Sequence, residues 1–236
     1  RKRDVDLIRA QKLFDEKKVE EAAKLGHPRA QGMMACRFRF GIDGEAKDEM
    51  KSVYWAKKAA TGGDMNGQFL LADAYEEALG GLEKNNALAL EWYIKAAEQG
   101  CASSMKNISN IYESGGHGVT SNLETAASWC IKAAEKGCIC AQHNLGSLYY
   151  NGKGVAKSLV TARHWYQKSV DQYDEDIEDE DCASSQCELG TMIMKGEGGG
   201  QDPEEAVSLW KKAAAQGNEK AQEHLEKLMA FSLHAL

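Results

Sequence analysis

The chain has 236 residues, 43% hydrophobic and 28% charged, with a formal net charge of -7. Such a composition is ordinary for a folded globular protein, while the acidic balance excludes nucleic acid as the expected partner, because counterion release from phosphate needs a basic face. No apolar run approaches the roughly 20 residues of a membrane-spanning helix, so membrane insertion is not expected either. With only 2 Pro, and 23 Gly falling at regular places, the chain reads as helices punctuated by turns. Its opening Arg1-Lys2-Arg3-Asp4 is neither a Met start nor a signal peptide, which reads as an excised or processed segment. The 7 cysteines contain a CxC pair, Cys138 and Cys140, but no CxxC, so a structural zinc site is not expected. They read as small packing residues of an intracellular, reducing compartment.

One unit recurs along the chain. The small residues Ala35, Ala72, Ser109, Gly146 and Gly190 are spaced by 37, 37, 37 and 44 residues, each three before Phe38, Tyr75, Tyr112, Tyr149 or Ile193. A second small column holds Ala30, Gly67, Ser104, Ala141, Ser185 and Ala221. Further on come Trp55, Trp92, Trp129, Trp165 and Leu209, and a closing glycine recurs at Gly26, Gly63, Gly100, Gly137 and Gly217. Ala141, Leu145 and Leu148 make the apolar face of a first helix, and Ala162, Trp165, Tyr166 and Ser169 that of a second. The closing glycine is expected just past the second helix in the left-handed conformation. Small residues are expected where two helices cross closely, with the Trp and Tyr columns filling the space that remains. One hairpin cannot bury its own apolar face, so neighbours must stack.

In chain order, 1–26 reads as a leading cap, degenerate at Lys18 where a Trp would fall. Repeats are expected over 27–63, 64–100, 101–137, 138–173 and 182–217, within a single domain. The glycine-rich loop Ser114–Gly118 is an inter-helix turn rather than a phosphate cradle, lacking both the GxxxxGK[ST] pattern and a preceding strand. An acidic insertion over 174–181 is expected as a solvated surface loop. Docking of a basic partner and a calcium site are lesser readings of it, the latter lacking the glycine and spaced Glu of an EF-hand. Pro203 follows Asp202 as the first helical residue of the last repeat, and 218–236 is a closing cap.

The run A-x-x-N-L-G-x-x-Y-x-x-G-x-G-V at Ala141–Val155, followed by Ala162, Trp165, Tyr166 and Lys168 and a closing glycine, resembles the Sel1-like repeat, a relative of the tetratricopeptide repeat. The resemblance covers about residues 22–230. The second unit departs from it with Ala78 in place of the loop glycine, and the fifth moves its Trp by one, to Trp210. The resemblance implies an all-α, right-handed α/α superhelix of about five helix-turn-helix repeats with terminal capping helices. It also implies a scaffold or adaptor that binds a protein or peptide on its concave face, without cofactor or metal, as a monomer. A regulatory module of a larger protein is the alternative. Some secreted Sel1-like proteins carry a disulfide in each repeat; here only Cys101, Cys138 and Cys182 share a column, and no second column supplies partners.

No catalytic site is marked. The six histidines show no metal-ligand spacing, and neither HExxH nor G-x-S-x-G occurs. A hydrolase with an unmarked site is the least favoured reading. The resemblance implies a partner face made, in the first repeat, by Arg29 and Arg39 and, in the second, by Phe69, Asp73 and Glu76. It continues through Lys106, Asn110 and Glu113 in the third and His143, Ser147 and Tyr150 in the fourth. A face mixing charges, amides and aromatics suits a peptide better than a lipid or a sugar.

Overall fold

The computed structural model describes residues 2–172 and 180–234. Thirteen α-helices and no strand occur among them. The expected acidic insertion over 174–181 lies outside the described residues, apart from Glu180 and Asp181, which open a helix. The described chain divides into two compact units, Arg1–Ser121 and Asn122–Leu236.

The first unit holds α1 (Lys2–Asp15), α2 (Val19–Lys24), α3 (Pro28–Phe40), α4 (Glu49–Thr61), α5 (Met65–Glu76), α6 (Asn86–Glu98) and α7 (Ala102–Ser114). Each helix from α1 to α6 packs on the next, and α3 also packs on α5, so neighbouring hairpins stack through their first helices. The second unit holds α8 (Leu123–Glu135), α9 (Ile139–Asn151), α10 (Leu159–Val170), α11 (Glu180–Lys195), α12 (Pro203–Ala215) and α13 (Glu219–His234). The same rule holds there, with α9 also on α11.

Helix boundaries follow from capping chemistry. The second helix of every hairpin starts behind a side-chain oxygen that accepts from a backbone N–H three residues on: Asp48, Asn85, Asn122, Ser158 and Asp202. As expected, Pro203 is the first helical residue after Asp202. Cys101 and Cys138, at helix starts, are the N-caps of α7 and α9, and their thiols make no capping hydrogen bond. All five closing glycines have φ between 84° and 97°, the left-handed termination expected of them.

The loop inside each hairpin also needs left-handed backbone. Gly41, Gly115, Gly152 and Gly196 occupy one such column with φ of 67–72°, and Ala78 stands in the same column at φ 58°. A side chain there brings Cβ too close to the following carbonyl oxygen.

Between the helices the close approach is real. A Cβ on Gly67 would stand 2.3 Å from the Ala59 Cβ, and one on Gly146 would stand 2.8 Å from the Tyr166 ring. The tryptophans differ from the expectation that they fill the interior. Trp55, Trp92, Trp129 and Trp165 are only half-buried, and each ring carries a lysine ammonium at 3.9–5.4 Å: Lys58, Lys95, Lys132 and Lys168. On a helix, the residue three further on stands over the same face, and the indole quadrupole holds the cation there. The interior is filled instead by the residue after each Trp: Ala56, Tyr93, Cys130, Tyr166 and, after Leu209, Trp210, all at most 5% exposed. Trp210 therefore belongs to the core column, its Nε1–H donating to the Cys187 carbonyl at 3.2 Å.

A buried glutamine column ties hairpin to hairpin. Gln31 and Gln142 donate to the Ala23 and Ala134 carbonyls at the end of the preceding helix. Gln68 and Gln186 accept from Gln99 and Gln216 at 2.7 and 2.9 Å. Of the cysteines, Cys130, Cys182 and Cys187 are core residues as expected, whereas Cys36, Cys101, Cys138 and Cys140 are half-buried.

Replacing Ala78 with Gly should stabilise the protein by about 1 kcal/mol: relief of left-handed strain outweighs the extra backbone entropy of glycine in the unfolded chain. Chemical denaturation compares the two chains; a lower midpoint for Ala78→Gly would refute the assignment of strain to this turn.

Candidate functional site

In the first unit, α3, α5 and α7 bring part of the expected face together. Arg39 on the last turn of α3 donates from Nη2 to Asp73 Oδ2 on α5 at 2.9 Å, with both side chains largely covered. One turn along α5, Glu76 Oε2 accepts from the Tyr93 hydroxyl at 2.8 Å, and that hydroxyl accepts in turn from Asn107 Nδ2 of α7 at 2.8 Å. Phe69, one turn before Asp73, lies with its ring centroid 5.8 Å from that of Tyr93. Lys106 is half-buried, and its charge acts on Glu76. Asn110 and Glu113 are exposed further along α7. Arg29 stands at the other end of α3, exposed, with its guanidinium 5.8 Å from the Phe14 ring.

The electrostatics of this cluster centre on Glu76. Burial raises its pKa, the Tyr93 hydrogen bond pulls it back, and the neighbouring Glu77 and Asp73 raise it further. The Tyr93 phenol, fully buried, is held protonated far above the ordinary range by burial first and then by the charge of Glu76. It is therefore a fixed donor toward that carboxylate.

The second unit has its own set. His143 on α9 places Nδ1 at 2.9 Å from the Ser185 hydroxyl of α11, which lies 2.8 Å from the Ser169 hydroxyl of α10. Its ring centroid is 5.5 Å from that of Tyr166. Ser147, half-buried, accepts from Asn151 Nδ2 at 3.3 Å. Tyr150 donates to Glu197 Oε2 at 3.0 Å, an interaction that raises the phenol pKa. A cleft of about 410 Å³ beside His143 is lined by Cys187, Glu188, Gln216 and Lys220 among others. Burial pushes the Cys187 thiol up to about 11, so it stays protonated near neutrality, and Ser185 is 0% exposed, sealed from any substrate. Among the described residues no group of three His, Cys, Asp or Glu side chains could hold a metal ion, and no helix is long and apolar enough to cross a membrane.

The sequence reading named Arg39, Asp73 and Glu76, and Asn107 on the first helix of the third repeat, but missed Tyr93, the residue that joins Glu76 to Asn107. Tyr93 follows a tryptophan in the repeat register, as Tyr166 does, and that column was the available signal.

Stacked helix hairpins whose first helices carry a row of polar side chains define an α-solenoid repeat protein. The chain belongs to the Sel1 repeat family, whose repeats match at residues 28–64, 66–101, 102–138, 141–174 and 183–218. As a family these repeats are protein–protein interaction modules and generally non-enzymatic scaffolds. Among solved structures, the chain is similar to a protective antigen of uropathogenic Escherichia coli with this fold, at 29% identity and a TM-score of 0.78 over 96% of the chain. It is also similar to a Sel1 repeat protein of Oxalobacter formigenes, at 34% identity and a TM-score of 0.77 over 89% of the chain. It spans 48% and 58% of the lengths of those two chains. A Klebsiella pneumoniae Sel1 repeat protein shares the fold at 22% identity and a TM-score of 0.53, over 90% of this chain and 98% of its own. No curated protein matches the sequence.

Two outcomes are expected from this network. Tyr93→Phe strands the Asn107 amide and removes the donor to Glu76, and should cost about 1–3 kcal/mol in equilibrium unfolding. Glu76 has a raised folded-state pKa, so its contribution is most favourable in acid and is lost as pH rises from the unfolded carboxylate range through the folded pKa. Glu76→Gln keeps an acceptor for Tyr93 without the charge; it should be more stable than the parent at pH 7, an advantage that fades toward pH 4. Melting curves at both pH values check this, and a gain equal at both would refute it.

Proposed function

We propose that the chain is a non-enzymatic scaffold or adaptor that holds a segment of a partner protein on the polar face of α3, α5 and α7. The observation that carries this reading is the cluster joining Arg39, Asp73, Glu76, Tyr93 and Asn107 across three successive hairpins. Its polar groups are fixed in place by one another before any partner arrives, which lowers the ordering cost of binding. Asn110 and Glu113, exposed beside it on α7, extend the same face with an amide and a carboxylate. His143, Ser147 and Tyr150 are the corresponding candidates of the second unit, and the family's role as an interaction module supports both assignments.

The test combines Arg39→Ala, Asp73→Ala and Asn110→Ala. Removing both members of the ion pair leaves no stranded charge, so the fold should survive, which circular dichroism verifies. A Tyr150→Ala chain probes the second unit separately. Proteins captured by the parent chain should be lost from the folded triple variant. Undiminished capture by both altered chains would refute the assignment of these faces.

A further inference from the structure

The residue that starts the first repeat makes several contacts at once, and one of them, the cap on the Ala30 N–H, is closed to its protonated form. His27 is the N-cap of α3, and its Nδ1 accepts from the Ala30 backbone N–H at 3.2 Å. A backbone N–H can only donate, so Nδ1 is the bare nitrogen and the proton sits on Nε2. That second nitrogen lies 3.0 Å from Gln11 Oε1 on α1 and therefore donates to it. The Gln11 amide donates in turn to Asp15 Oδ1 at 2.8 Å. The imidazole also stacks on Phe14 of α1, centroid to centroid 4.3 Å and 12° from parallel. Leu13 and Phe14 pack on the apolar cluster of Val19, Ala22, Ala30, Met34 and Phe38 in α2 and α3. His27 thus joins α1 to the repeats by a hydrogen bond and a stacked ring.

We propose that His27 is an acid-sensitive latch: its neutral form caps α3 and holds α1 against the array, and protonation frees α1 and bares the apolar face beneath it. A proton on Nδ1 points at the Ala30 N–H, so the cap becomes a clash of two donors. It also places a positive charge at a helix N-terminus, where the macrodipole opposes it. The charged groups acting on the ring are Asp15 from α1 and Asp64 from the start of α5, which favour the cation, and Arg29 from α3, which opposes it. On α2, Lys24 is paired with Glu20. Burial is the largest influence and disfavours the cation, keeping the ring neutral near pH 7. Because the folded-state pKa is lowered, the latch contributes fully above the unfolded value of about 6.5 and is lost as pH falls through the folded one.

Hydrogen exchange of the α1 amides, corrected for intrinsic rates and referenced to α8, tests this between pH 7.5 and pH 5.0 on the full chain. The expected result is a rise of about tenfold in α1 exchange at the acid end, its midpoint matching the His27 ring titration followed by NMR. His27→Asn keeps a cap that takes up no proton, so its α1 exchange should not change with pH. Unchanged α1 exchange in the parent overturns the proposal, as does an acid response that survives in His27→Asn. A midpoint separate from the His27 titration also overturns it, and this arm holds even where the Asn chain leaves α1 undocked at every pH.

Discussion

Everything in this chain depends on how closely the two helices of a hairpin approach. Where the second helix contributes Tyr166 or Trp210, the first contributes Gly146 or Gly190, and a methyl group on either glycine would meet the ring at 2.8–3.0 Å. Ala35 and Ala56, both fully buried, share one cluster in the first repeat. The bulkiest side chains of the second helix thus meet glycine on the first, and where the second helix carries only alanine the first carries alanine too. Such matching is the packing economy expected where interiors are filled to the density of organic crystals and cavities and overlaps both cost stability.

That approach distance fixes the positions of the polar groups. Arg39 and Asp73 are 34 residues apart and meet only because α3 and α5 stack in register. Tyr93 reaches Glu76 and Asn107 only because its ring occupies the core position behind a tryptophan, leaving the hydroxyl at the edge. A register slip of one residue in α6 would carry the ring outward and break the cluster. Stability and the candidate face are therefore one construction. The lysines above the tryptophans have a separate role: each covers a half-exposed indole and shields it from water.

The sequence revealed the repeat, its length and its closing glycines, because those are backbone requirements that recur at fixed spacing. A glycine needed for φ near 90° can be read one residue at a time. The N-cap column at Asp48, Asn85, Asn122, Ser158 and Asp202 was equally readable, though only its last member stood out, through Pro203. The role of the tryptophans was not readable. An aromatic column at helical spacing fits the core and its rim equally well, and the Lys three residues on becomes decisive only once the burial of the next residue is known. The contacts of Glu76 with Tyr93 and of His27 with Gln11 span 17 and 16 residues and join different helices, so no periodicity announces them.

Charge sets how a partner would be recognised. Eight carboxylates fall within Asp171–Asp181, leaving 28 acidic residues against 29 basic ones in the rest of the chain. The first unit is neutral, with 18 of each sign. It has no net field with which to draw a charged partner from a distance, and exposed charges are screened beyond about 8 Å at physiological salt. Selection on the candidate face would then rest on short-range contacts that a partner has to match in position as well as in sign. Groups held in place beforehand, as Glu76 is by Tyr93 and Asp73 by Arg39, meet that need better than mobile surface charges, because less side-chain freedom is lost when the partner binds.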